Sequence, residues 1–370
     1  MTLLYRYASI QRFRRKFFRL LVQFFTNSSN QAGHDRAVFY SRIWREAAAE
    51  CGLTAYTISD KVMEFRYRDA FVTRIYGDTT MLDNPATLMI AGDKALTYQL
   101  LEKVHLPITE FRAFRLDSLA HVKEFIRDRQ GPFVIKPVRG TAAGLGVSTN
   151  LMTFRQCVNA AALAATYCDD LLIEKHVAGE SYRLLFVGQK LARIARRSGA
   201  RVTGDGVQTL AQLIRRTYPS LSDDVDKMDD GASDLAQTCS AQGYQSADIL
   251  GKGLVALVTS RPLNENVNVE LRTVYTEDVT DAVCDEIIED ARRACAVLHS
   301  EFTGIDVITT NPRVSLLDSK GVIVEVNTTP GLQHHYELKG NQHEESAAAH
   351  VLRYIISKQP ENGGIESKVG

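Results

Sequence analysis

The chain has 370 residues, of which 45% are hydrophobic and 24% charged. That balance is ordinary for a globular protein, and the length allows two or three domains. Lysine plus arginine and aspartate plus glutamate number 44 each, so no global charge draws the chain to nucleic acid. No uninterrupted apolar run approaches the length of a membrane-spanning helix.

The first stretch, Leu3–Phe25, mixes arginines with phenylalanines and leucines. It predicts a basic helix packed on the body of the protein or on a second subunit, with docking to an anionic membrane surface or a partner as the alternative. Arginines interrupt its apolar residues, unlike a secretory signal. Thr26–Gly33 is polar and reads as a linker. Asp35–Cys51 has helical periodicity that Gly52 ends. Leu53–Ile58 is a strand candidate, and Phe65–Ile75 holds one or two more. Arg66, Arg68 and Arg74 in this region could reach a substrate carboxylate, and most of them are expected on a solvated face. Ala86–Leu106 begins with a helix carrying Asp93 and Lys94, and Leu106-Pro107-Ile108 breaks into a strand reaching Phe114. Leu116–Arg129 reads as a helix, Phe133–Lys136 as a strand, and Leu151–Thr166 as an alanine-rich helix. Leu171–Val177, Arg183–Val187 and Lys190–Arg196 read as three strands, and Thr209–Arg216 as a short helix. Tyr218–Asp230 is acidic without periodicity and reads as a mobile loop. Leu254–Thr259 is a strand and Asp281–His299 a long helix. Gly304–Thr309 and Gly321–Asn327 are strands, and His350–Ser357 closes the chain. The six cysteines are scattered with no Cys-x-x-Cys pair, which suits reduced thiols in a cytoplasmic protein.

Two stretches carry chemistry. In Phe133–Asn150, an apolar strand ends at Lys136, and Gly140, Gly144 and Gly146 follow. Glycines let backbone N–H groups approach an anion, and the lysine suits a polyphosphate. This is not a Walker A loop, because no Gly-Lys-Ser/Thr follows. Further on, Asp306 sits in the apolar strand GIDVI, and Glu325 and Asn327 alternate in VIVEVN. Period-two spacing sets Glu325 and Asn327 on one face. Acids in an apolar sheet need a compensating charge. A hard divalent cation with oxygen ligands would supply it, Mg2+ carrying ATP phosphates being the usual case, with a strand-end pair of solvated acids as the alternative.

These motifs, together with LLIEKHVAGESYRLLFVGQKL, VTGDGVQTLAQLI, EDVTDAV and VIVEVNTTPGLQHH, follow one another in the order seen in ATP-grasp enzymes. From about Gly92 to His335 the chain resembles the ligase domain of cyanophycin synthetase and related amino-acid and peptide ligases. The resemblance implies an α/β (α+β) ATP-grasp fold, in which an N-terminal α/β lobe precedes two α+β subdomains that clasp ATP between them. It implies a basic N-terminal helix and linker over 1–33, the lobe over 34–90, a lid and nucleotide subdomain over 91–190, a Mg2+ and substrate subdomain over 191–358, and a tail over 359–370. Lys94 and Lys136 match the lysines that hold ATP phosphates. Gly140–Gly146 matches the loop that closes over them. Glu174, Lys175 and Val177 match the adenine-binding segment. Asp306, Glu325 and Asn327 match the magnesium ligands, with Mn2+ as an alternative metal. Arg183, with Lys136, matches the catalytic cations near the reacting carboxylate and phosphate.

The pattern departs from the family in three places. Ser181 stands where the family has an acid serving ribose, and Glu180, one residue earlier, is the substitute. SRPLNENVNVELRTVYTEDVTD contains Asn264, Asn266 and Asn268 but lacks the Gly-Gly of cyanophycin-type enzymes. A Mur-ligase-like half is not expected, so iterative polymer synthesis by this chain alone is not expected either. The implied activity is ATP-dependent carboxylate–amine ligation through an acyl phosphate, on amino-acid or short-peptide substrates. A phosphotransferase and a non-catalytic ATP-binding module are the alternatives, and a homodimer is an open expectation. His334 and His335 could touch substrate. Of Arg193, Arg196, Arg197 and Arg201, most are expected to be solvated.

Overall fold

The computed structural model describes residues 2–25, 28–141, 145–198, 200–229, 234–240, 242–258, 268–269, 275–336 and 345–359. The chain opens with α1 (Thr2–Phe25), α2 (Ser28–Glu50), β1 (Thr54–Ser59), β2 (Val62–Tyr67) and β3 (Ala70–Tyr76). Next come α3 (Pro85–Ala91), α4 (Lys94–Lys103), β4 (Phe111–Phe114), α5 (Leu119–Arg127), β5 (Phe133–Pro137), β6 (Ser148–Leu151) and α6 (Phe154–Ala164). The middle holds β7 (Leu171–Lys175), β8 (Glu180–Val187), β9 (Lys190–Ser198), β10 (Arg201–Thr203), α7 (Leu210–Thr217), α8 (Ser222–Asp226) and α9 (Asp234–Ser240). The last part holds β11 (Val255–Leu257), β12 (Asn268–Val269), β13 (Tyr275–Asp278), α10 (Asp285–Leu298), β14 (Phe302–Thr309), α11 (Leu316–Ser319), β15 (Val322–Asn327) and α12 (Ala347–Ser357).

These elements form two compact units that the chain enters more than once. The first comprises residues 1–12, 111–176 and 197–275, and the second 13–110, 177–196 and 276–370. In the first unit a five-stranded sheet has the order β12-β6-β5-β7-β4. Antiparallel register pairs Val134 with Glu174, Ile135 with Ile173 and Lys136 with Leu172. Strand alternation therefore divides the sheet into two faces. Phe133, Ile135, Leu171 and Ile173 pack with Val122 and Phe125 of α5 and with the alanine side of α6. Val134, Lys136, Leu172 and Glu174 lie on the opposite face. A satellite core built from β10, β11 and α7–α9 buries Leu213, Ile214, Leu235 and Val258.

In the second unit, β1–β3 form an antiparallel sheet whose inner residues, Met63, Phe65 and Ile75, pack on Trp44 of α2 and Val351 and Leu352 of α12. A five-stranded sheet follows the order β13-β9-β8-β14-β15. One face of it packs Ile194, Leu184, Ile305, Val307 and Ile323 against Leu101 of α4 and Ile287, Ala291 and Leu298 of α10.

The mixed α/β class is as expected, and the structure corrects several element readings. Residues 28–33 are already helical in α2, whereas the polar composition there reads as linker. Ala86–Leu106 holds two helices, because the Asp93 side chain accepts from Leu96 N at 2.9 Å and starts a new one. Ser148–Leu151 is a strand, and the following helix starts only at Phe154, where Thr153 and Gln156 form a capping box. Tyr218–Asp230 is not a loop over its described length: it contains a helical turn and α8, held by buried Val225 and Met228. The expectation of a packed N-terminal helix is met on one face of α1. Ala8 is buried in the first unit's core, Tyr7 Oη donates to Asn159 Oδ1 at 3.3 Å, and Arg12 pairs with Asp169.

Candidate active site

The second unit sets four charged side chains in a row. Register places Asp306 of β14 opposite Arg183 of β8 on one side and opposite Glu325 of β15 on the other. Arg183 grips Asp306 with both ends of its guanidinium: Nε donates to Oδ1, and Nη2 donates to Oδ2 at 2.8 Å. Both side chains are buried, and such a forked pair fixes the carboxylate in place. Gly304 makes room for it. A Cβ there would meet Arg183 Cδ and Pro330 Cβ, each at 2.9 Å.

At the other end of the row, Lys94 Nζ lies 3.0 Å from Glu325 Oε1. Lys94 is the first residue of α4, which the Asp93 cap starts. The helix is held to β15 by Tyr98, whose hydroxyl donates to Val324 O at 2.8 Å. Burial pushes the Glu325 carboxyl up, but Lys94 and, more distantly, Arg183 outweigh it and the neighbouring Asp306 charge, leaving it below its ordinary value. Burial likewise weighs against the Arg183 charge, and Asp306 overcomes it, so its pKa stands above the usual arginine value.

Asn327 lies two residues beyond Glu325 in β15, opposite Gly304. Its Nδ2 is buried with no hydrogen-bond partner among the described residues. A side-chain amide can rotate to exchange nitrogen and oxygen. The orphaned polar atom, two adjacent carboxylates and an amide oxygen make a donor set that fits a hard cation such as Mg2+. Among the described residues, no three His, Cys, Asp or Glu side chains gather as a metal cluster. The amide therefore has to supply the third protein oxygen of any such site.

The first unit holds a separate pair. Lys136 Nζ lies 2.8 Å from Glu174 Oε2, and both are buried on the sheet face opposite the helices. A buried ion pair costs more desolvation than a surface one and is weak support for stability alone. Gly140 has φ +74° with open space around its α-carbon. Gly146 has φ +77°, and a Cβ there would lie 2.8 Å from Pro137 Cγ and 2.9 Å from Tyr167 Cδ2. Gly144 lies outside the described residues. Lys175 ends β7 in an exposed position, and His176 follows with its pKa lowered by burial against the pull of Glu174.

The remaining sequence expectations fall elsewhere. Val177 lies in the connection before β8. Glu180 opens β8, and Arg196 Nη1 reaches its Oε2 at 3.1 Å while Nη2 holds Glu277. Of the four arginines expected to be mostly solvated, Arg193 is the one that is buried. Its guanidinium donates to the carbonyls of His335, at 3.1 Å, and of Glu345. Arg196, Arg197 and Arg201 are half-buried. His335 is buried and His334 half-buried. Asn268 lies in β12, while Asn264 and Asn266 fall outside the described residues. Gly304 is the site residue that sequence reading passed over. Its signal was a glycine two positions before an acid inside an apolar strand.

No family model matches the chain. It is 30% identical over 258 residues to a cyanophycin synthetase from Synechocystis sp., covering 66% of this chain and 28% of that protein. It is 26% identical over 312 residues to the glutathione biosynthesis bifunctional protein of Listeria monocytogenes, covering 81% of this chain and 39% of the relative. The chain thus spans well under half the length of these relatives. A bifunctional glutathione synthetase from Pasteurella multocida superposes with a TM-score of 0.57 at 18% identity, over 83% of this chain and 42% of the other. The fold is that of the ATP-grasp ligases. Within it, the chain is related in sequence to the cyanophycin synthetases and to the bifunctional glutathione proteins.

Proposed function

We propose that this chain is an ADP-forming carboxylate–amine ligase that joins an amino-acid or short-peptide acid to an amine through an acyl phosphate. The observation that carries the reading is the row Arg183–Asp306–Glu325–Lys94, two adjacent acids flanked by two cations. Phosphoryl transfer asks a protein for alignment and charge neutralisation more than for covalent chemistry. A stabilising core needs neither adjacent acids nor cations at both ends.

In this reading Asp306, Glu325 and Asn327 hold Mg2+, and Mn2+, which takes the same oxygen donors, substitutes for it. When bound, such a metal would neutralise negative charge on the phosphates. Lys94 and Lys136 hold the phosphates, and the loop carrying Gly140, Gly144 and Gly146 excludes water from the activated carboxylate. Glu174, Lys175 and Val177 take the adenine and Glu180 the ribose. Arg183, fixed by Asp306, faces the reacting carboxylate and the transferred phosphoryl group, and with Lys136 supplies positive charge where negative charge develops. Relatedness to a cyanophycin synthetase and to a glutathione biosynthesis protein supports an amino-acid or short-peptide substrate. All six cysteines are free thiols, which supports a reducing, cytoplasmic setting.

The test is turnover of ATP by the purified chain with Mg2+ and pooled amino acids and dipeptides, following ADP, AMP, phosphate and product masses. ADP, phosphate and a condensation product are expected. A stable phosphorylated product would make the chain a phosphotransferase. AMP release would exclude the acyl-phosphate route, and nucleotide binding without turnover of any acid would favour a binding module.

A further inference from the structure

The outward face of α1 belongs to no part of this site. The helix carries six basic residues and no acid over its 24 residues. Formal charge over the whole chain is zero, so those six positive charges leave six net negative charges on the rest. The inward side of α1 is small and polar: Ala8 is buried, and Tyr7 and Arg12 bond to Asn159 and Asp169. The opposite side is apolar and faces water. Ile10, Phe13 and Phe17, spaced as one helical stripe, are exposed, Phe13 by 71% and Phe17 by 55% of their surface. The two rings stack at 6.4 Å between centroids. Arg6, Arg14 and Lys16 are exposed beside them. The sequence continues the same spacing at Leu20, Leu21 and Phe24.

We propose that this face docks the protein on a lipid bilayer bearing anionic headgroups, with α1 lying in the plane of the interface. An apolar stripe flanked by cations is the pattern that buries in the headgroup boundary. Clustered lysine and arginine add an attraction of their own to an anionic leaflet. Two rival occupants fit less well. A second copy docked helix to helix would set one acid-free cationic helix against another, which repel. A nucleic acid would meet the cations, but its bases stack on rings, and Phe13 and Phe17 already stack on each other while Ile10 offers none. Among the described residues no helix is long and apolar enough to cross a membrane, so the mode is lying on the surface.

The test uses the full chain and sedimentation with vesicles of phosphatidylcholine, with and without phosphatidylglycerol. Binding to the anionic vesicles alone is expected, weakening as salt rises. Phe13→Ser with Phe17→Ser should lower that binding roughly tenfold or more, because both rings lose a burial that only the bilayer provides. Their exposure in the folded chain means that helical content and the emission of Trp44, the only tryptophan, should not change. As a second readout, Phe13→Trp should give a blue-shifted emission on anionic vesicles. Equal binding to neutral vesicles, no binding to anionic ones, or binding that the serine variant retains would each overturn the proposal. So would a dimer, or an RNA complex, that forms without vesicle binding and is lost in the serine variant.

Discussion

Glu325 and Asp306 stand side by side but are held differently, and their variants should fail differently. Asp306 and Arg183 are buried as a forked pair. Asp306→Ala leaves a guanidinium buried without its partner, which costs about 3–5 kcal/mol. Urea unfolding should therefore show a large loss. Glu325 retains about 30% of its side-chain surface, so Glu325→Ala should leave the fold intact while lowering ATP turnover roughly a hundredfold or more. Normal turnover in a folded Glu325→Ala protein would remove Glu325 from the metal site. The Glu325 carboxyl, held below its ordinary value, takes up its proton later than in the unfolded chain. Its contribution to stability is full above the usual glutamate pKa and is lost as pH falls through the folded value. Unfolding of the wild type and of Glu325→Gln, compared across that acidic window, should show the two curves converging as pH drops.

At the scale of elements, the glycine loop and the strands that flank it decide whether Lys136 is presented correctly. Gly146→Ala combines a backbone at φ +77° with a Cβ 2.8 Å from Pro137 Cγ. It should destabilise the fold by about 1 kcal/mol or more and raise the ATP concentration needed for turnover. An unchanged melt would show that the loop can rearrange at no cost. Thr153→Ala removes the cap of α6 and should cost about 1 kcal/mol, with no effect on ATP requirement. Strongly patterned elements were legible in the sequence: the strands around Lys136, Asp306 and Glu325, and the long helix α10. The misreadings have local causes. Polar Ser148-Thr149-Asn150 hid an inner strand, because its alternation is masked by residues common in turns. The acids of Tyr218–Asp230 hid the two hydrophobic anchors Val225 and Met228. Asp93 was read as lying within one helix, and only the bond its side chain accepts from Leu96 N marks a second helix start. Arg183–Asp306 pairing could not be read at all, since it depends on β8 lying beside β14, which is a matter of sheet order.

Across the whole molecule, the chain passes from the first unit to the second between His176 and Val177. The residue types and their order along the chain were legible, and the pairing of Lys136 with Glu174 and of Lys94 with Glu325 emerged only from the fold. The thiols give an independent check on that fold. Burial pushes Cys157 and Cys295 up to about 12, and Cys51 and Cys239 up to about 11. Cys168 and Cys284 are half-buried. A thiol-reactive disulfide reagent at neutral pH should titrate at most these two quickly in the native protein, and all six after denaturation. Rapid reaction of Cys157 or Cys295 without denaturant would contradict the packing of α6 or α10.

Trapping the activated carboxylate with hydroxylamine is the most direct test of the proposed chemistry. The chain would be incubated with ATP, Mg2+ and the acid substrate, and hydroxamate measured alongside ADP. The expected result is hydroxamate in step with ADP, absent without ATP and strongly reduced in Lys136→Ala. ADP formed without hydroxamate, together with a stable phosphorylated product, would contradict carboxylate activation and make the chain a phosphotransferase.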